Sequence, residues 1–377
     1  MLPKTSATRL KEREAQGNLR QLTVTTEPLV DLCSNDYLGF STFGALSARL
    51  HNHPQILEER KFGSTGSRLL SGNSHQIEAL EARIASFHGV EAALFFSTGY
   101  AANNGIIQAF ATRHDTVLYD ERAHASIIDG ARSSFAKNIW SFRHNDLEDL
   151  RKKIRNASGD VYVITESVFS MDGDFAPLEE IIALCDETNA YCIVDEAHAL
   201  GLFGRDGNGR VYELGLEKKA LAVIVTFGKA LGAHGAAVLC GEDTKQFLIN
   251  FCRPFIYSTA PDFHLVAAID CGYALLQERS KETSQLFFLI HEFRNVAKKY
   301  PQFTTLDSLS AIQGIVLGSN ERAKHASLVL RKAKIDARAI LSPTVAAGSE
   351  RLRICLHTFN TPPEIQAVFY ELSQAAL

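Results

Sequence analysis

No two cysteines in this sequence stand in a CxxC pair, and their total is odd: Cys33, Cys185, Cys192, Cys240, Cys252, Cys271 and Cys355 lie scattered through apolar stretches. That spacing argues against a disulfide framework and against a thiolate zinc site, so they read as small core residues in a reducing compartment. There is no positive excess either. Lys and Arg number 39 against 43 Asp and Glu, a formal charge of −4, which argues against nucleic acid as a partner. No apolar run approaches the ~20 residues of a membrane span. The opening residues, MLPKTSATRLKEREAQG, lack the apolar stretch of a secretory signal, so the cytoplasm is the expected location and no membrane partner is expected. What is present is ordinary for a folded chain. Its 377 residues, 46% hydrophobic and 22% charged, suffice for one large domain and a second packing unit.

From about residue 90, short β-branched or aromatic runs alternate with helical patterns, as parallel βαβ units do. The expected strands are Ala92–Ser97, Thr116–Tyr119, Val161–Thr165, Ala190–Val194, Leu221–Thr226 and Ala236–Cys240. Between them lie expected helices at Gln76–Phe87, Ala101–Thr112, Ala125–Phe135, Leu147–Arg155 and Leu178–Asn189. The fold class is α/β, a mostly parallel central sheet with helices on both faces. After Tyr257 the alternation lapses: long helical segments lead to strands near Gly314–Leu317 and Leu352–Leu356 and a last helix from Pro363, which suggests a smaller α+β domain. The expected division is an N-terminal arm over 1–37, a large domain over 38–272 and a small domain over 273–377.

Four features fall at the carboxyl ends of the expected strands, where a doubly wound sheet places its site: the Gly99 turn, His124, the Asp195/His198 pair and Lys229. Asp195 ends a buried apolar strand, so its carboxylate needs a cationic or hydrogen-bonding partner. Lys229 follows LAVIVT in TFGKALGAHG, with glycines leaving space around a long amine. A cofactor that uses all of them is pyridoxal phosphate. Its aldehyde needs a lysine, its ring nitrogen a carboxylate, its phenolic oxygen a donor such as His198. Its phosphate needs an anion cradle, which the backbone N–H groups of Gly99 and Tyr100 at a helix start, with the Thr226 hydroxyl, can supply. Taken singly each residue has an ordinary structural explanation, a solvated turn lysine, a capping aspartate, a loop histidine. Their joint occurrence in order does not. GSTGSRLLSG lacks the GK[ST] ending of a phosphate loop, and GxGxxG is missing after the first strand, which argues against nucleotide hydrolysis and against a nicotinamide oxidoreductase.

The stretches NDYLG (Asn35–Gly39), GSTGSRLLSG, STGYAANNG, ERAHASIIDGAR, TESVFSMDGDFAPL, VDEAHALG, VTFGKALGAHGAAV, RPFIYSTA and ERLRI together resemble the α-oxoamine synthases. These are fold-type I pyridoxal-phosphate enzymes that condense an amino acid with an acyl thioester. The likeness runs from about Asp31 to Thr358. GYAAN, SMDGD and YSTA point to the branch that joins L-alanine to a pimeloyl thioester, carried by coenzyme A or a carrier protein, in biotin synthesis. Glycine- and serine-using members share the cofactor residues and are the alternatives.

The resemblance implies that Lys229 binds the cofactor and moves the α-proton, that His124 stacks on its ring, and that Glu166 and Ser170 line the site. Arg353 would clamp the amino-acid carboxylate, ahead of Arg351, with Arg68 also on the substrate side. It also implies a homodimer with a shared site, in which Asn35 and Ser258 or Thr259 serve the neighbouring subunit. Three departures from the family pattern stand out: Asn360 where a histidine is common, VAAGS (Val345–Ser349) for VPxGT, and Ile77 at a histidine position, with His75 two residues early.

Overall fold

In the computed structural model of the chain, which describes residues 2–24, 27–53, 62–278 and 282–375, the apolar runs form one seven-stranded sheet. After a short β1 (Val30–Asp31) come β2 (Ala92–Phe96), β3 (Thr116–Asp120), β4 (Asn138–Phe142), β5 (Val161–Glu166), β6 (Tyr191–Asp195), β7 (Ala222–Thr226) and β8 (Ala236–Cys240). The order across the sheet is β2-β8-β7-β6-β5-β3-β4. The neighbours from β7 through β4 run parallel, while β8 is antiparallel to both β2 and β7. The expected mostly parallel α/β sheet is therefore present.

Alternation along the strands explains its two-sided burial. Leu118, Val163, Val194 and Val225 enter one apolar core, and their neighbours Val117, Ile164, Ile193 and Ile224 enter a second. Because both faces are apolar, both must be covered, which is the reason for the intervening helices. β4 was not among the expected strands: it is a half-buried edge strand with a polar lead-in, and such strands carry little periodic signal.

The helices start and stop where capping chemistry directs. Gly99–Phe110 begins two residues before the expected Ala101, because the Thr98 hydroxyl accepts from Ala101 N and sets the first turn there. Leu147–Arg155 matches expectation: Asp146 caps Asp149 N, with acids in its first turn and bases in its last. The helix Phe263–Glu278 continues through residue 272, so the expected boundary at 272–273 falls inside an unbroken element. Its buried Val266, Ile269, Cys271, Tyr273, Leu275 and Leu276 all join one apolar core, which the seven-stranded sheet shares with a smaller sheet.

A second, antiparallel sheet is built from β9 (Thr304–Thr305), β10 (Ile312–Val316), β12 (Arg338–Ile340) and β13 (Arg351–Cys355), in the order β12-β13-β10-β9. Between them in sequence, β11 (Ile335–Asp336) pairs with β1 and ties down the amino-terminal segment. The segment Ser167–Phe175 joins the two sheets. Asp172 pairs with Arg351 and, at 3.4 Å, with Arg122, and the Gly173 carbonyl accepts from Ser308 Oγ at 2.9 Å. Gly173 has φ +71°, and a Cβ there would meet Ile312 O at 2.2 Å, so this crossing requires glycine.

Two of the three departures have local reasons. Ile77 is a core residue while His75 stands fully exposed at the helix start, so no polar role is open at position 77. Asn360 accepts from His357 N at 2.9 Å and donates to Asp31 O at 3.1 Å, closing a buried junction between the chain's two ends.

Candidate active site

The carboxyl ends of β2, β3, β5, β6 and β7 lie along one sheet edge, and they deliver their side chains to a cavity of about 410 Å³. Eleven of the thirteen site residues expected from sequence line it: Asn35, Gly99, Tyr100, His124, Glu166, Ser170, Asp195, His198, Thr226, Lys229 and Arg353. The other two do not. Arg68 and Thr259 line a separate pocket of about 20 Å³, where Arg68 makes a two-pronged pair with the buried Glu81 at 2.7 and 3.2 Å.

One end of the cavity is built for an anion. Gly99 and Tyr100 are the first two helical residues after the Thr98 cap, and their N–H groups have no acceptor among the described residues. A Cβ on Gly99 would meet Thr226 Cγ2 at 2.5 Å, so only glycine keeps this cradle open. The Tyr100 hydroxyl donates to Asp129, which holds its half-exposed ring at the rim.

Deeper in, the buried Asp195 accepts from Asn103 Nδ2 at 2.6 Å and from Ala197 N at 2.8 Å. Both bonds orient the carboxylate without neutralising it. Lys229 donates to Thr226 Oγ1 at 3.3 Å. Burial lowers its pKa; Asp195 and Glu166 oppose that shift and Arg353 adds to it. Its amine is therefore easier to deprotonate than a surface lysine. Glu166 sits beside Asp195 in register and accepts from His124 N at 2.6 Å. Burial first, then the Asp195 charge, raises its pKa well above the usual range, so this carboxyl is held toward its neutral form.

The two histidines are held neutral by the same means. His124 caps the helix Ala125–Ser133 through Nδ1, and loss of solvent lowers its pKa against the pull of Asp195. His198 is buried at the cavity wall. Burial, then the charges of Lys229, Arg353 and His124, push its pKa well down. At the opposite end Arg353 Nε donates to Ser170 O at 2.8 Å, Nη2 to Asn35 Oδ1 at 3.0 Å and Nη1 to Cys355 Sγ at 2.9 Å. The fork is fixed in place while it still lines the cavity. Arg351, two residues earlier on β13, is occupied by Asp172 instead.

Sequence reasoning missed Asn103, Tyr37 and His234. Asn103 follows Gly99 by four residues, one helical turn, so the anion turn already implied its face. His234 lines the cavity from the same glycine-rich loop as Lys229. Tyr37 does not line the cavity; its hydroxyl meets His198 Nδ1 at 2.7 Å from behind, a contact between residues 161 apart that no local pattern signals.

A doubly wound sheet with lysine, aspartate and two histidines at its carboxyl edge, beside a helix-start anion cradle, defines the class of fold-type I pyridoxal-phosphate transferases. The chain belongs to the aminotransferase class I and II family, whose model matches residues 27–367. An 8-amino-7-oxononanoate synthase of Emericella nidulans is 39% identical, with 95% of this chain and 92% of that protein covered. Among solved structures, a serine palmitoyltransferase from S. paucimobilis with a bound PLP–myriocin aldimine superposes with a TM-score of 0.88 at 28% identity, covering 98% of this chain and 96% of that one. An 8-amino-7-oxononanoate synthase from Francisella tularensis gives 0.78 at 28% identity, covering 92% and 97%. The resemblance to α-oxoamine synthases read from the motifs thus holds over nearly the whole chain. Among the described residues no helix is long and apolar enough to cross a membrane, and no group of His, Cys, Asp and Glu is placed to hold a metal ion.

Proposed function

We propose that this chain is an acyltransferase that uses pyridoxal phosphate to join L-alanine to a pimeloyl thioester, giving 8-amino-7-oxononanoate, CO2 and the free thiol carrier, a step of biotin biosynthesis. The observation that carries the reading is the convergence of Lys229, Asp195, His198, His124 and Arg353 on one cavity. Family membership and the named relatives support the substrates.

The residues present fit the cofactor. The cradle at Gly99 has open backbone donors, Asp195 supplies an oriented carboxylate, and Asn103 Oδ1 is a buried acceptor with no partner among the described residues. Gly99, Tyr100 and Thr226 would hold the phosphate, His124 the ring face, Asp195 the ring nitrogen, His198 the phenolic oxygen and Lys229 the aldehyde. Pyridoxal phosphate supplies an aldehyde for the amino group and a ring that accepts the electron pair left when a proton or CO2 departs.

The protein's part is to bind, orient and move protons. Arg353, steadied by Ser170 O and Asn35, grips the alanine carboxylate with charge-assisted bonds. Lys229, with its pKa lowered by burial, takes the proton from the alanine α-carbon and later returns one there. Glu166, held toward its neutral form, adds no second negative charge beside Asp195 and is a proton donor in the same wall. A shared homodimer site and the division into arm, large and small domains belong to this reading. The separation of the seven-stranded from the four-stranded sheet supports the division, and the exposed Leu69, Leu70 and Tyr257, chain neighbours of Arg68 and Ser258, support a partner surface.

The test is a panel of alanine, glycine and serine against pimeloyl, acetyl and palmitoyl thioesters, scored by thiol release and product mass. Alanine with the pimeloyl thioester should give 8-amino-7-oxononanoate fastest. Preference for glycine with the acetyl donor, or serine with the palmitoyl donor, would replace the assignment.

A further inference from the structure

Tyr37 is 1% exposed, and its single phenolic proton has two acceptors in reach, His198 Nδ1 at 2.7 Å and Asn35 Oδ1 at 3.1 Å. Asn35 Oδ1 has other donors. Arg353 Nη2 reaches it at 3.0 Å and the Cys355 thiol at 3.7 Å, and an amide oxygen has two lone pairs. The charge-assisted bond from Arg353 is the stronger of the contacts on that oxygen. Among the described residues His198 Nδ1 has no hydrogen-bond partner other than Tyr37, and Nε2 has none. Burial raises the phenol's pKa and outweighs the nearby Arg353 charge, which favours proton donation by the phenol.

We propose that Tyr37 is a positioning residue that donates its O–H to His198 Nδ1 and so fixes the imidazole tautomer with its proton on Nε2, the nitrogen left for the cofactor's phenolic oxygen. A neutral imidazole that accepts at one nitrogen carries its proton on the other. Had Tyr37 donated to Asn35 instead, His198 Nδ1–H would donate to the phenol and Nε2 would present a lone pair, unable to serve as a donor in the cavity. The same tyrosine joins the carboxylate clamp to the cofactor-facing histidine, since its hydroxyl contacts His198 and shares Asn35 Oδ1 with Arg353. This inference rests on the reading of His198 as the donor to pyridoxal phosphate.

The test is ¹⁵N-histidine NMR of the full-length protein, with and without pyridoxal phosphate, in the wild type, Tyr37→Phe and Asn35→Ala, with His198→Asn to assign the resonance. The wild type should show His198 protonated on Nε2 and bare on Nδ1. Asn35→Ala should leave this pattern unchanged, and Tyr37→Phe should redistribute the proton toward Nδ1 and lower kcat about tenfold, the scale of one hydrogen bond. A wild-type proton on Nδ1, a tautomer reversed by Asn35→Ala, or a Tyr37→Phe spectrum identical to wild type would overturn the proposal. Borohydride labelling of Lys229 in the same samples separates the two claims. Labelled protein with an unchanged tautomer in Tyr37→Phe sinks the role of Tyr37 alone. Unlabelled Lys229 in the wild type sinks the cofactor reading and this inference with it.

Discussion

His144 offers a prediction that the structure makes quantitative. Its Nδ1 meets the fully buried Asp120 at 2.9 Å and its Nε2 meets Asp174 at 2.6 Å. Burial alone would depress its pKa, but the two carboxylates outweigh it and raise the value from 6.5 to about 9. The folded pKa lies above the unfolded one, so the stabilisation is fully present below pH 6.5 and is lost as pH rises through about 9. At 1.36 kcal/mol per pH unit the step is worth at most ~3 kcal/mol. Solvent screening at Asp174, 28% exposed, reduces the expected part to about 2 kcal/mol. His144→Gln also removes the edge-on contact with Phe169, at 4.5 Å between ring centroids, but that loss does not vary with pH. Urea unfolding of wild type and variant, at matched protein concentration from pH 6 to pH 10, should give a stability difference that shrinks by about 2 kcal/mol across the range. Other groups titrate in both proteins and cancel. A difference that is flat in pH, or grows with it, would refute the reasoning. The clamp matters for the site because it fixes the Ser167–Phe175 segment, whose Ser170 carbonyl orients Arg353.

Gly99→Ala places a methyl 2.5 Å from Thr226 Cγ2 and should weaken pyridoxal phosphate binding at least tenfold, a loss of about 1.4 kcal/mol, read by absorbance titration. Asp195→Asn keeps the side chain's shape but removes the negative charge and one of the two acceptor oxygens that Asn103 and Ala197 use, and should lower kcat by about 10²–10³-fold, the scale of deleting one electrostatic stabiliser; circular dichroism should be unchanged. Arg353→Lys forfeits the fork that spans Ser170 O and Asn35. Steady-state kinetics should show KM for alanine raised roughly 10–100-fold, as for losing a bidentate charged contact of ~1.5–3 kcal/mol.

The sheet and most of the cavity were legible because each rests on local pattern. Continuous apolar runs marked β2, β5, β6, β7 and β8, and the candidate site residues fall where β2, β6 and β7 end, so the chain order Gly99, Asp195, Lys229 already pointed to the sheet edge. What lay beyond reading depends on long-range contact. Arg68 has the composition of a ligand-binding residue, but the buried carboxylate of Glu81 is placed next to it only by packing. Tyr37 is an apolar-looking member of NDYLG until the fold sets it against His198. The helix Phe263–Glu278 shows no break at residue 272, because the same apolar face serves the core along its length, so a boundary drawn from changing composition landed inside it.

Lys229 is the residue proposed to bind the cofactor's aldehyde covalently through its amine. Borohydride reduction of enzyme loaded with pyridoxal phosphate, followed by proteolysis and peptide mass spectrometry, tests this directly. The pyridoxyl group should appear on Lys229 and be absent from Lys229→Ala. A loaded, reduced enzyme carrying the label elsewhere, or none at all, would contradict the account.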